Sequence, residues 1–158
     1  MWHWPLAGHV TQVPRTGPGS FGAVRKHDIH TGVDLYCPEG QQVYAVEPGR
    51  VVAIMNFTGG TESPWWNDTM AVMIEGESGV VLYGEIAPSP HMVVGTLVLA
   101  GDLVGTVLRV LKKNKGLPTT MLHMELYCPG TKAPIWWIGG PQPKEFQDPT
   151  ELMIQCDG

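Results

Sequence analysis

Every second residue over one stretch near the end of the chain is apolar, a pattern typical of a half-buried β-strand. Over residues 121–127, one face of such a strand carries Leu122, Met124 and Leu126. The opposite face carries Met121, His123, Glu125 and Tyr127. The pattern therefore predicts a strand with one face in the core and one face that offers a metal ligand, His123.

A second stretch far upstream, residues 30–36, has the same extended character. Gly32 and the β-branched Val33 disfavour a helix there. In a strand, four residues share one face: His30, Gly32, Asp34 and Tyr36. If the two strands lie side by side, two imidazoles and one carboxylate meet at one point. Three such ligands leave a fourth tetrahedral position open, as in catalytic rather than structural zinc sites.

The rest of the chain alternates short apolar runs with turn residues. Strands are predicted at 43–46, 50–56, 70–75, 79–85, 97–99 and 104–110. Residues 1–29 are predicted to be largely loop, with one short strand near 21–24. Residues 129–158 are predicted to be an irregular tail, in which 151–155 form a closing helical turn or a short strand. With 20 glycines and 14 prolines in 158 residues, the pattern predicts a single all-β domain over 1–158, with a mainly antiparallel sheet.

Charge and hydropathy exclude some partners. The formal net charge is −5, and the one basic run, 112–115, is interpreted as a solvated loop, so nucleic-acid binding is not expected. No apolar run approaches the ~20 residues of a membrane span. The first five residues show neither the basic start nor the apolar core of a signal peptide. The oligomeric state is left open.

Three cysteines, Cys37, Cys128 and Cys156, lack the spacing of a metal motif. Cys37 and Cys128 each follow Leu-Tyr at the end of a proposed ligand strand. If those strands are neighbours, the two thiols could be close enough to pair. The alternative is that both are small buried apolar residues.

Several segments resemble, in the correct order, the motifs of the lysostaphin-type (LytM-like) zinc endopeptidases. The first signature of that family is a His-x-x-x-Asp pair followed by a Pro-x-Gly turn and a Val-x-Ala strand, as in residues 30–45 here. Its glycine-containing hairpins, the end of its His-x-His-Phe-Glu motif and its late Asp-Pro resemble residues 47–53, 94–106, 122–125 and 148–149. The resemblance extends from about Trp4 to Leu152.

The resemblance implies a fold, a metal and a substrate class. The fold is a mainly antiparallel sheet with a groove, of the duplicated hybrid motif type. The implied ligands of one zinc ion per chain are His30, Asp34 and His123. Members of the family typically cut the peptide crossbridges or stems of peptidoglycan, and glycine-rich peptides. Such a role implies the cell envelope or the extracellular space.

Two positions depart from the family pattern, and both concern proton transfer. The family usually has Tyr-x-His in a middle strand, where this chain has Tyr83-Gly84-Glu85. The first histidine of the His-x-His motif is Met121 here, and its expected role is to fill space. In active relatives those two histidines handle protons or stabilise the oxyanion.

Glu85 has three interpretations. It can act as a general base on a metal-bound water, occupy the open coordination position, or be a solvated strand residue. Strict alternation places it on the same face as Val81 and Tyr83. The function is accordingly either a zinc peptidase in which Glu85 is the substitute base, or a catalytically silent zinc-containing module that binds peptide or glycan.

Other residues keep two interpretations each. Glu125 either orients a metal ligand from behind or is a plain surface carboxylate. The pairs Trp65-Trp66 and Trp136-Trp137 either wall a groove or cover the ends of the sheet. The remaining histidines are expected to be ordinary surface or capping residues, with His27 able to reach the rim of the groove: His3, His9, His27 and His91.

Overall fold

Antiparallel pairing organises almost all of the protein. The computed structural model describes residues 1–112 and 120–156, so only Lys112 of the predicted basic loop lies within the described residues. These residues form a nine-stranded sheet and one short helix. The elements are β1 Val33–Tyr36, β2 Gln42–Tyr44, β3 Gly49–Asn56, β4 Met70–Gly76, β5 Gly79–Pro88, β6 Leu97–Val98, β7 Leu103–Val107, β8 Met121–Tyr127, β9 Phe146–Gln147 and α1 Thr150–Ile154.

The predicted all-β class is confirmed, and the differences lie at the edges of elements. Strand β8 has the predicted bounds, whereas β7 ends three residues earlier than predicted and β5 runs three residues further. The expected strand near 21–24 is a single bridge between Val24 and Ile29. The tail predicted to be irregular contributes β9, and of the two options for its end the helix is the one that forms. Among the described residues, no helix is long and apolar enough to span a membrane.

The order of the strands places the two predicted ligand strands next to each other. The main path through the sheet is β1-β8-β5-β4-β3-β6, and β9 pairs with the end of β8. In the register of β8, His123 lies opposite Asp34 on β1 and opposite Gly84 on β5. His123 therefore lies on the central strand of the three neighbouring strands β1, β8 and β5, and residues in register on these strands point to the same face of the sheet.

The two faces of β8 bury different residues. As the alternation predicts, Leu122, Met124 and Leu126 belong to the larger apolar core. On the other face Tyr127 belongs to a smaller core that includes Trp137 and Phe146. His123 and Glu125 are buried on that second face, between apolar residues. The predicted ligand face of β8 is therefore buried, with one end next to the smaller core.

The direction of β1 rules out the disulfide considered between Cys37 and Cys128. Strands β1 and β8 are antiparallel, with Tyr36 opposite Met121, so Cys37 lies at one end of β8 and Cys128 at the other. The end residues of β8, Met121 and Tyr127, are six residue steps apart, which is roughly 20 Å at about 3.3 Å per residue. Both thiols are unpaired, and Cys37 is the buried apolar residue of the alternative interpretation.

This arrangement predicts unequal thiol reactivity. Burial raises the pKa of Cys37 to about 11, so at pH 8 it holds almost no thiolate, which is the nucleophilic form. We expect iodoacetamide at pH 8 to label Cys128 before Cys37 in the native protein, as measured by peptide mass spectrometry. In denaturant the two rates should converge. A peptide linking Cys37 to Cys128 in the unreduced protein would contradict the topology.

Candidate metal centre

Three ligand atoms converge at the junction of β1 and β8. Asp34 Oδ1 lies 2.8 Å from His123 Nδ1 and 3.3 Å from His30 Nε2. The two imidazole nitrogens are 3.3 Å apart. All three side chains are buried, and among the described residues they form the one group of at least three His, Cys, Asp or Glu side chains that could hold a metal ion.

The second nitrogen of each imidazole has its own hydrogen-bond partner. His30 Nδ1 lies 2.9 Å from the carbonyl oxygen of the buried Ser20, and His123 Nε2 lies 2.8 Å from Glu125 Oε2. When both imidazoles are neutral, as metal binding requires, an N–H that donates to each of these oxygens leaves the lone pairs of His30 Nε2 and His123 Nδ1 directed at the common point. Partners of this kind fix the tautomer and orientation of metal-binding histidines. The donor set of two imidazoles and one carboxylate fits zinc.

Electrostatics within the cluster favours opposite charges on Asp34 and His123. Burial opposes ionisation of Asp34, but hydrogen bonds from His123 and His30 hold the pKa of this carboxyl well below its usual range. Burial likewise opposes a charge on His123, yet its bonds to Asp34 and Glu125 raise its pKa well above the ordinary value. Without a metal, His123 is therefore an imidazolium between two carboxylates, and metal binding must displace a proton.

Glu125 is the residue behind His123, and it is not a surface carboxylate. Only 2% of it is exposed. Its Oε2 accepts hydrogen bonds from His123 and from the Thr31 hydroxyl, and its Oε1 accepts one from the Tyr127 hydroxyl. Of the two interpretations of Glu125, the structure therefore shows the one in which it orients a candidate ligand.

Gly32 allows the first ligand segment to approach β8. A Cβ atom at this position would lie 2.1 Å from the Met124 carbonyl oxygen. Any side chain there would push the segment that carries His30 and Asp34 away from His123. The space where a side chain at residue 32 would lie is thus filled by the backbone of the neighbouring strand.

A β-bulge brings Glu85 into the site. Gly84 pairs with Ala71 and Ile86 with Met70, which leaves Glu85 as an extra residue on β5. Its φ angle is 64°, in the left-handed region that non-glycine residues rarely adopt. The predicted face shared by Val81, Tyr83 and Glu85 is wrong: Val81 and Tyr83 belong to the larger core. The bulge instead directs Glu85 to the cleft that contains His123.

The Glu85 carboxylate has one oxygen, Oε2, that is buried and has no hydrogen-bond partner in the part of the chain that the structure describes. Burial raises the pKa of this carboxyl to about 8; the nearby His123 charge opposes the rise and Asp34 adds to it. The third interpretation, a solvated strand residue, is therefore wrong. A buried carboxylate oxygen beside three candidate ligands is an acceptor that a metal, a water or a substrate can use.

The cluster lies in a cleft of about 450 Å³. Met121 lines it, together with Trp66 and Trp136. Trp136 is 61% exposed, whereas Trp137 is buried in the smaller core and Trp65 lies outside the cleft. One tryptophan of each pair, Trp66 and Trp136, therefore lines the cleft, as the first interpretation expects. Trp137 instead packs in the core, as the second interpretation expects.

None of the other four histidines lines the cleft. His27 is exposed and does not line the cleft, although the sequence places it only three residues before His30. His9 has a structural contact, because its Nε2 lies 3.1 Å from the Tyr36 carbonyl oxygen.

Four further residues shape the site without having been singled out for it from the sequence: Ser20, Arg25, Thr31 and Tyr127. A guanidinium nitrogen of Arg25 lies 3.8 Å from Asp34 Oδ2. Among the described residues Arg25 is the one lysine or arginine that lines the cleft. Only Tyr127 had a signal in the sequence, since it shares the strand face of His123. The other three lie in loops, where periodicity carries no information.

Solved structures of known proteins share this fold. The catalytic domain of lysostaphin from Staphylococcus simulans is 17% identical, with a TM-score of 0.59 over 92% of this chain and 93% of that one. A zinc-containing peptidase from Vibrio cholerae is 21% identical, with a TM-score of 0.57 over 90% of this chain and 40% of that one. No curated protein sequence matches the chain significantly.

A mutant catalytic domain of the prophage-encoded M23 protein EnpA from Enterococcus faecalis is 23% identical, with a TM-score of 0.52 over 79% of this chain and 88% of that one. At these identities the similarity shows the fold, and it confirms the lysostaphin-like architecture. The family model for peptidase family M23 matches residues 28–134, well over half of the chain and the segment that contains His30, Asp34 and His123. The chain therefore belongs to peptidase family M23.

Proposed function

We propose that this protein is a zinc-dependent hydrolase of peptide bonds in which Glu85 is the general base. The observation that carries the proposal is the buried, unpartnered Oε2 of Glu85 in the same cleft as the three candidate ligands. A buried carboxylate oxygen without a hydrogen bond costs stability. Its position next to the cluster is explained if it acts on a proton there.

His30, Asp34 and His123 would hold one zinc ion through the three converging atoms, with Ser20 and Glu125 keeping both imidazoles in the required tautomer. Zinc bound in this way lowers the pKa of a coordinated water towards ~7 and polarises a carbonyl group.

Glu85 would accept a proton from the attacking water and return it to the leaving amine. In the metal-free protein its pKa is about 8, and a nearby cation lowers the pKa of a carboxyl. It would therefore be ionised, and able to act as a base, near neutral pH. The bulge and the positive φ hold the carboxylate at this place.

The cleft suits an extended peptide with an apolar flank. Trp66 and Trp136 provide ring surface on its walls, and Arg25 offers a guanidinium at the edge of the cluster. Aromatic walls bind both peptides and sugars. We therefore propose a peptide substrate of the peptidoglycan type.

A second candidate function is favoured by Met121. It lines the cleft beside His123, where its thioether can neither move a proton nor stabilise a charge. On this alternative the protein retains zinc and binds peptide or glycan without cleaving it.

The ligand assignment predicts one zinc ion per chain. We expect His123→Ala to abolish zinc binding, measured by metal analysis after dialysis, and to lose the rise in melting temperature that zinc gives the wild type. His27→Ala is the matched control, since this exposed histidine lies outside the cleft. Equal zinc content in His123→Ala and wild type would refute the assignment.

The base assignment predicts a variant that keeps its metal and loses turnover. Glu85→Gln should bind zinc normally and lower kcat by about 10²–10⁴-fold, the usual contribution of a general base, on glycine-rich or cell-wall peptides. Glu62→Gln, on the same cleft, should retain activity. Zinc-loaded wild type that binds such peptides and cleaves none would favour the silent alternative.

The raised pKa of Glu85 also predicts a pH dependence of stability in chelator-treated protein. The native state holds the Glu85 proton more tightly than the unfolded state, whose pKa is near 4.5. The contribution of Glu85 to the free energy of unfolding therefore falls as pH rises from about 4.5 to about 8, and is constant above. Relative to wild type, Glu85→Gln should gain melting temperature from pH 5 to pH 9. A difference independent of pH would contradict the raised pKa.

A further inference from the structure

We propose that Tyr127 is a positioning residue that couples zinc binding to the aromatic wall of the cleft. This inference rests on the proposed zinc site, but not on catalysis. The Tyr127 hydroxyl donates a hydrogen bond to Glu125 Oε1 and accepts one from the Ile135 N–H at 3.0 Å. One oxygen atom thus joins a carboxylate of the metal centre to the backbone of the cleft wall.

Three consecutive hydrogen bonds complete the connection. His123 Nε2 bonds to Glu125, Glu125 accepts from Tyr127, and Tyr127 accepts from Ile135. His123 uses its other nitrogen, Nδ1, as the candidate ligand atom. The side chains of His123, Glu125 and Tyr127 are buried, and hydrogen bonds shielded from water are stronger and polarise one another.

The far end of this connection is the segment that carries Trp136. Ile135 and Trp136 both line the cleft. On the other side of Trp136, the Trp137 carbonyl oxygen accepts a hydrogen bond from the Ile29 N–H at 2.7 Å, and Ile29 directly precedes the candidate ligand His30. The exposed Trp136 is therefore held between two backbone anchors, and each anchor leads to one imidazole of the cluster.

The ring of Tyr127 has a separate structural role. It stacks on Phe146 with centroids 4.8 Å apart, and Phe146 packs against Trp137 at 6.3 Å. Replacing Tyr127 by phenylalanine keeps this stack and removes only the hydroxyl. The variant therefore separates the packing of the wall from its connection to the metal centre.

Binding linkage makes the coupling reciprocal. A zinc ion that fixes His123 also fixes Glu125 and the hydroxyl that holds Ile135. A ligand that contacts Trp136 then strengthens zinc binding by the same factor by which zinc strengthens ligand binding. The wall is thus expected to be ordered by the metal.

The test compares Tyr127→Phe with Tyr83→Phe. Tyr83 is an equally buried tyrosine whose hydroxyl accepts the Val46 N–H at 2.9 Å in the larger core. Zinc affinity is measured by competition with a chromophoric chelator, and exchange of the Ile135 amide hydrogen by NMR with and without zinc. Because Tyr127 acts on His123 only through Glu125, we expect Tyr127→Phe to weaken zinc binding by up to about 10-fold, the lower end of the effect that is typical when a partner of the ligand itself is lost. Tyr83→Phe should leave zinc affinity unchanged.

In the wild type, zinc should slow exchange at Ile135, and in Tyr127→Phe this protection should be lost. Unchanged zinc affinity in Tyr127→Phe would overturn the inference, and so would wild-type exchange at Ile135 that is insensitive to zinc.

The measurement of amide exchange on wild-type protein does not depend on whether any variant folds. Wild type that binds zinc and cleaves no peptide would remove the proposed catalysis and leave this inference standing. Wild type that takes up no zinc would remove both.

Discussion

The buried carboxylate of Asp34 is the constraint on which the site depends. A carboxylate removed from water is strongly destabilising unless charges and hydrogen bonds compensate for it. Here His123, 2.8 Å away, supplies both a charge and a hydrogen bond, and His30 lies 3.3 Å away on the other side. The compensation requires β1 and β8 to pair in one register, because a slip of one residue would turn Asp34 and His123 to opposite faces. The candidate metal centre and the register of the sheet are therefore specified by the same interaction.

The smaller core forms the second layer of this arrangement. Glu125 accepts a hydrogen bond from His123 and another from the Tyr127 hydroxyl, and that hydroxyl accepts one from the backbone N–H of Ile135. The apolar packing of Phe146 and Trp137 keeps water from these bonds. One face of β8 thus carries, in order, a residue of the cleft wall (Met121), a candidate ligand (His123), the carboxylate that orients it (Glu125) and a residue packed in the smaller core (Tyr127). Each of these residues depends on its neighbour for its position.

At Asp34 and His123 the same contacts stabilise the fold and form the site, whereas Glu85 contributes to the site at a cost to stability. Its left-handed backbone and its buried oxygen, which has no hydrogen-bond partner among the described residues, each cost roughly 1–3 kcal/mol. The Leu108 N–H donates a hydrogen bond of 3.0 Å to the Glu85 carbonyl oxygen, which holds the backbone of the bulge but leaves the carboxylate oxygen without a partner. Strain of this kind persists only where the surrounding structure enforces it, and it is concentrated at functional sites. Strand β5 is held on both sides by β4 and β8, and this pairing provides the enforcement.

The sequence by itself determined the all-β class, the bounds of β8, its two faces and which three candidate ligands converge. Those features depend on a period of two and on residue types, which are local properties. Only the tertiary structure decided how Glu85 enters the cleft, because a bulge depends on the pairing of β5 with β4. It also decided which tryptophan of each pair forms the wall, and it separated Cys37 from Cys128 by making β1 and β8 antiparallel. The contributions of Ser20, Arg25 and Thr31 likewise come from loops placed by distant contacts, and no pattern along the chain records where such contacts form.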